Sequence, residues 1–185
     1  MIRDMTRGNV TRHLVSFSVP IILGNLFQLA YNAVDSIVVG RFAGTGALAA
    51  VGTANPVMNI IILGVSGLCI GASVLMSEYF GARDTEKLRR EFAATLFLGL
   101  FFSAAVLALG LPLAGPLLRL LNVPDEIFPQ ARAYLCIIFL GMPFTFVYNA
   151  YAAAMRSVGD SRTPIRFLAL ASVLNAGLDV AFVAG

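Results

Sequence analysis

Charge is what this sequence has least of. Asp, Glu, Lys and Arg supply only 12% of its 185 residues, about half their share in soluble domains, while 58% of residues are hydrophobic and the mean hydropathy is +0.84. That scarcity excludes an ordinary soluble domain and points to an integral membrane protein. The 13 basic residues outnumber the 10 acids, but they are spread through the joints between apolar segments and form no patch, which excludes a nucleic-acid partner. Cysteine is nearly absent too. Cys69 and Cys136 stand in apolar segments with neither CxxC nor metal-ligand spacing, so a disulfide framework has no support and both read as buried thiols. The glycine-rich joint from Gly40 to Gly46 has no lysine after it and no strand before it, so it reads as a tight turn rather than a phosphate cradle. The first apolar run is too long for the core of a signal peptide and lacks a cleavage site after it, so it is expected to stay as a spanning helix.

Long apolar runs are what the sequence has in quantity. Five of them, 14–42, 47–80, 92–118, 133–155 and 165–185, reach the ~20 residues that cross a bilayer. The expected fold is all-α, a polytopic bundle of about five transmembrane helices. With the N-terminus placed in the cytoplasm, ten basic residues fall in inner joints (Arg3, Arg7, Arg12, Arg83, Lys87, Arg89, Arg90, Arg156, Arg162, Arg166) and three in outer ones (Arg41, Arg119, Arg132). The positive-inside rule therefore sets the orientation, in the plasma (inner) membrane.

An acid inside the first run gives the bundle a purpose. A charged residue at a helix centre costs about 2.5–3.5 kcal/mol on insertion scales, so Asp35 should face protein or water. At about 100° per residue, Asn25, Gln28, Tyr31, Asn32, Asp35 and Ser36 share an arc of roughly 140°. Pro20, near the start of the segment, should bend it. The second segment carries a polar stripe of Asn55, Asn59, Ser66, Ser73 and Ser77, with Gly64, Gly67 and Gly71 spaced for close helix contact. The third has almost no polar side chains and should face lipid. The fourth holds Tyr134, Thr145, Tyr148, Asn149, Tyr151 and a second kink-prone proline, Pro143. The fifth places Ser172, Asn175 and Asp179 on one face. Counted at 1.5 Å per residue, Asp179 lies about 21 Å above the inner start of its segment and Asp35 about 10 Å below the outer end of its own. Two acids in the same half of the bilayer can share a site, where repulsion leaves a proton or cation to neutralise the pair.

Four stretches carry a family resemblance: Tyr31-Asn-Ala-Val-Asp35-Ser-Ile-Val-Val-Gly40, Gly67 through Ser77-Glu-Tyr-Phe-Gly-Ala-Arg-Asp84, Gly159-Asp-Ser-Arg-Thr-Pro164 and Leu174-Asn-Ala-Gly-Leu-Asp179. In order and spacing they resemble the multidrug and toxic compound extrusion (MATE) transporters, built of twelve helices in two six-helix lobes. The resemblance implies that residues 1–185 are a partial N-terminal lobe of five helices, with the second lobe absent. It also implies an antiporter, not an enzyme, that exports organic cations or other amphiphiles against protons or sodium ions. No cofactor is implied beyond that coupling ion. Asp35, Asn175 and Asp179 match the family's N-lobe cation site, a possible Na⁺ site. Tyr31, Tyr134 and Asn149 match cavity-lining residues, and Pro20 matches a first-helix proline linked to bending. The remaining partners implied are the lipid bilayer and the missing lobe.

Other readings ask for features the sequence supplies poorly. A lipid-linked oligosaccharide flippase of the same superfamily wants cationic side chains in mid-membrane, and segments one, two and five have none there. An intramembrane aspartyl protease wants glycine-x-glycine before its second acid, where this chain has Ala176-Gly177-Leu178. A non-transporting membrane scaffold has no need of polar stripes.

Overall fold

The structure is a computed structural model that describes residues 10–183; the side chains of Tyr31, Asp35 and Asp179 are among a few within it that lie outside the described set. Five α-helices make up nearly all of it: α1 Val10–Val38, α2 Gly44–Gly81, α3 Thr85–Leu120, α4 Phe128–Ser157 and α5 Arg162–Val183, with one π-helical turn, Val39–Ala43, closing α1. Every apolar run is a helix, and every helix begins before its run does. Hydropathy marks only the part that crosses lipid. Where α3 starts is decided by a cap, since the Asp84 carboxylate accepts the Lys87 N–H at 3.0 Å and pairs with Lys87 Nζ at 3.0 Å, both before the apolar stretch.

Three of the turns are built alike. Asn122 N–H donates to Arg119 O and Val123 N–H to Leu118 O; Arg83 with Asp84, and Gly159 with Asp160, repeat this pair of bonds at the ends of α2 and α4. These are Schellman turns, which put one residue in the left-handed region, here Arg83 (φ 60°), Asn122 (φ 53°) and Gly159 (φ 82°). In two of them the next residue is an aspartate that caps the following helix. Asp160 accepts the N–H groups of Arg162 and Thr163 and the Thr163 hydroxyl.

The first joint departs from the tight turn that its glycines predict. Gly40 lies in the π-helical turn and Gly46 in α2, and only Gly44, at φ 88° and ψ 171°, takes a backbone conformation that favours glycine. From that corner α1 and α2 splay apart. α2, α3 and α4 form a bundle in which α4 packs on both of the others, whereas α1 packs chiefly on α5.

Two phenylalanines hold the bundle together. Phe146 and Phe139 of α4 are buried to within 1% and seated over glycines of α3. A Cβ on Gly99 would lie 1.6 Å from Phe146 Cζ, and one on Gly110 would lie 2.8 Å from Phe139 Cδ2. Thr95, Gly99, Ser103, Ala114 and Leu118 line this face of α3, so α3 is a packed member of the bundle whose other side, with Phe97 and Phe101, is open to lipid. Small residues let helices approach when hydrophobic pressure is absent. Of the glycines expected to do so in α2, Gly64 approaches α3, since a Cβ there would lie 3.4 Å from Phe102 Cζ, whereas one on Gly67 or Gly71 would meet no described residue within 4 Å.

Among the described residues four helices, not five, are long and apolar enough to cross a membrane. The residues of α5 whose side chains lie outside the described set fall in about its last two turns, Asp179 among them. α1 continues unbroken through Pro20.

A candidate cation site between α1 and α5

Gly24 is buried on α1 because α5 lies directly over it: a Cβ there would be 3.0 Å from Ile165 Cγ1. Consecutive helices run antiparallel, so α1 and α5 are parallel, and this contact fixes their register. Position 35 lies eleven residues beyond Gly24 and Asn175 ten beyond Ile165, about 16 and 15 Å along the two axes. Asp179 follows one turn later. The register thus matches the first acid to the amide of the fifth helix more closely than to its acid.

The same contact decides which side the polar residues occupy. Counted at about 100° per residue, Gln28, Asn32, Asn25 and Ser36 lie about 40 to 120° from Gly24 in one sense, and Asn175 lies about 80° from Ile165 in the opposite sense. On two parallel helices, opposite senses mean the same groove. Asn25, Gln28, Asn32 and Ser36 are exposed in it.

Asn175 is the half-buried member, and its Oδ1 is buried with no hydrogen-bond partner among the described residues. Such an acceptor normally costs about 1–3 kcal/mol. Its neighbour Ser172, 7% exposed, avoids that cost by donating to Leu168 O at 2.8 Å.

The other expected residues are spread out along α4. Asn149 lies about 12 Å and Tyr134 about 35 Å from the α5 end of that helix, against about 20 Å for Asn175 along α5. Asn149 Nδ2 donates to Thr145 O at 2.8 Å, and Tyr134 packs against the core around Ala54, Leu118 and Leu135. They bracket the depth of Asn175 rather than meet it. Tyr31, Asp35 and Asp179 are placed on their helices, but their side chains lie outside the described set. Pro20, half-buried, sits one turn before Gly24. Sequence reasoning missed Gly24 and Ile165, the pair that aligns the site. A glycine one turn after a helix proline, among larger apolar residues, was the available signal.

The MatE family model matches residues 20–181. This chain belongs to the MatE family. It is 36% identical over 180 residues to the probable multidrug resistance protein YpnP of Bacillus subtilis (strain 168), covering 97% of this chain and 40% of that one. A MATE crystal structure in the bent conformation superposes with a TM-score of 0.87 at 30% identity, over 95% of this chain and 39% of the other. A transporter of the MOP superfamily from Pyrococcus furiosus Vc1 (DSM3638), described as having a binding pocket of reverse polarity that suggests a different function, gives 0.89 at 30%, over 96% and 39%. The chain spans about two fifths of the length of these relatives. As a MatE protein with membrane-crossing helices, it is an integral membrane protein of a multidrug-transporter family.

Proposed function

We propose that the MatE chain supplies the ion-coupling part of a secondary antiporter that exports organic cations or other amphiphilic drugs in exchange for protons or Na⁺. The observation that supports it best is the buried Asn175 Oδ1, without a hydrogen-bond partner among the described residues, in register with position 35 beside a groove of amides. An oxygen acceptor without a donor among the described residues, at the depth of position 35 and one turn before position 179, suits a hard cation, which takes carboxylate and amide oxygens as ligands. Asp35, Asn175 and Asp179 are the residues that would hold it; a proton on one of the acids would serve the same end.

Coupling follows from the cost of charge in lipid. A bare carboxylate in the groove is unfavourable, and neutralisation by an incoming proton or Na⁺ favours a different conformation from the charged form. Tyr31, Tyr134 and Asn149 would line the path of an organic cation, which aromatic faces attract by about 0.5–2 kcal/mol each, and Pro20 would be where α1 bends. The protein would reside in the plasma membrane with its N-terminus inside, work with a second lobe, and have no enzymatic activity of its own. A flippase fits less well, because α2 has no Lys or Arg and those of α5 stand in its first turns.

The test is ion-driven efflux of an organic cation from proteoliposomes of the full transporter carrying this chain. Asp35→Asn, Asp179→Asn and Asn175→Leu should each abolish coupled efflux while leaving monodisperse protein. Wild-type rates in Asp35→Asn from pH 6 to 8 would refute the proposal.

A further inference from the structure

Gly40, in the π-helical turn that ends α1, lies against α2, where a Cβ on it would be 3.2 Å from Leu48 Cδ2. That contact orients α2. At about 100° per residue, Asn55 and Asn59 stand within about 20° of Leu48 around the helix, so they look toward the side on which α1 leaves the corner. Below the corner α1 packs chiefly on α5, which leaves a wedge between α1 and α2. Asn55 and Asn59 are exposed in it.

The amides of α1 border the same wedge. Gly40 lies about 160° from Gly24, in the sense in which Gln28, Asn32 and Asn25 lie about 40 to 100° from it, so these amides occupy the sector of α1 between its contacts with α5 and with α2. The depths agree too. Counted at about 1.5 Å per residue from the contact of Gly40 with Leu48, Asn32 and Asn55 lie about 12 and 10 Å down their helices, and Gln28 and Asn59 about 18 and 16 Å. Two pairs of amides therefore face each other across the wedge. Ser73 and Ser77, lower on the stripe of α2, donate to carbonyls of their own helix, whereas among the described residues the side chains of Asn55 and Asn59 have no hydrogen bond. Polar side chains in a membrane face protein or water rather than lipid, and an amide both donates and accepts. Such walls recognise hydroxyl, amino and carbonyl groups, whatever the net charge of the molecule that carries them.

We propose that Asn55 and Asn59 are specificity-determining residues, which with Gln28 and Asn32 bind the hydrogen-bonding groups of an organic cation while the acids of the α1–α5 groove attract its charge. This role rests on the export reading above and defines a cargo class, cations that also carry hydroxyl, amino or carbonyl groups. Cations that are hydrocarbon throughout are less favoured.

In proteoliposomes of the full transporter carrying this chain, efflux of ethidium, a cation with amino groups, is compared with efflux of tetraphenylphosphonium, a cation with no hydrogen-bonding group. Losing one neutral hydrogen bond shifts binding about fivefold, so Asn55→Leu and Asn59→Leu should each raise the ratio of the ethidium KM to the tetraphenylphosphonium KM by about that factor. Asn55→Gln and Asn59→Gln should hold it near the wild-type value, and so should Ile60→Leu, at a position about 120° from Leu48 around α2. Coupled efflux of both cations with an unchanged ratio in both leucine variants overturns this proposal alone; no coupled efflux of either cation by the unaltered transporter overturns the export reading as well. Should the leucine variants misfold, Asn55→Cys or Asn59→Cys, with Cys69 and Cys136 changed to Ala, gives a second reading. Ethidium should slow alkylation of the introduced thiol several-fold more than tetraphenylphosphonium does, and equal slowing by the two, or none by either, overturns the proposal.

Discussion

Glycine matters most in this protein where a phenylalanine needs its space. Phe146 occupies the volume that any side chain on position 99 would take, and overpacking a filled core costs about 1–3 kcal/mol. Gly99→Ala should therefore lower the unfolding midpoint in detergent, and Phe146→Leu should partly restore it; Gly67→Ala, at an open position, should leave the midpoint within error. Asp160 offers a second test. Partial burial opposes its charge, but hydrogen bonds, those from Thr163 and Arg162 among them, outweigh that and draw its pKa down to about 2. A folded value below the unfolded one, about 3.9, means that the cap stabilises fully above about pH 4 and is lost as pH falls toward 2. Asp160→Ala should cost about 1 kcal/mol at neutral pH, and its deficit against wild type in thermal unfolding should shrink below pH 4. Capping is local, so Asp84, three residues before the lysine it pairs with, carries its signal in the sequence. The polar stripe of α2 was less informative, because Ser73 and Ser77 donate to Ile70 O and Ser73 O within their own helix and so meet their needs without a cavity. Asn149 meets its need in the same local way, by donating to Thr145 O, so it is the Asn175 Oδ1, buried without a partner among the described residues, that marks the site.

At the scale of the helix, existence and order were legible and extent was not. Runs of apolar residues locate helices, but α3 extends back to Thr85 through a charged first turn, where capping and ion pairs such as Glu86 with Arg90 take over from hydropathy. Which helix touches which was not legible either, since Gly67 and Gly99 are equally plausible as contact residues until the phenylalanines opposite them are known. The alternation of helices leaves the Gly44 corner and the α3–α4 turn at one end and the Arg83 and Gly159 turns at the other. With the basic turns inside, single cysteines at Thr45 and Asp125 should react with an impermeant thiol reagent added outside cells, and one at Thr85 should not. The reverse pattern would invert the orientation.

For the whole molecule the division of labour is between a bundle and a pair. α2, α3 and α4 bury two core clusters, one around Ala54, Leu118 and Phe139 and one around Val65, Phe146 and Ala153, which share Ile61 and Val106 at their edges, whereas α1 and α5 rest mainly on each other and present a half-lined polar groove. Residues 1–185 alone should therefore confer no drug resistance and no dye efflux on cells lacking other exporters. Export by this chain without a complementing lobe would show that the groove is complete as it stands.

The contact between Gly24 and Ile165 also says something about how the protein is made. Neighbouring hairpins can close as each helix leaves the ribosome, but α1 meets its partner only after about 140 further residues have been synthesised, and long-range contacts of that kind form late. During that interval the amides of α1 sit in the bilayer without the helix that later covers one side of them. The first helix is thus the natural client of the insertion machinery, and ribosomes stalled near Gly185, with α5 still in the exit tunnel, should yield nascent chains in which α1 still crosslinks to the translocon while α2 and α3 have already moved off into lipid.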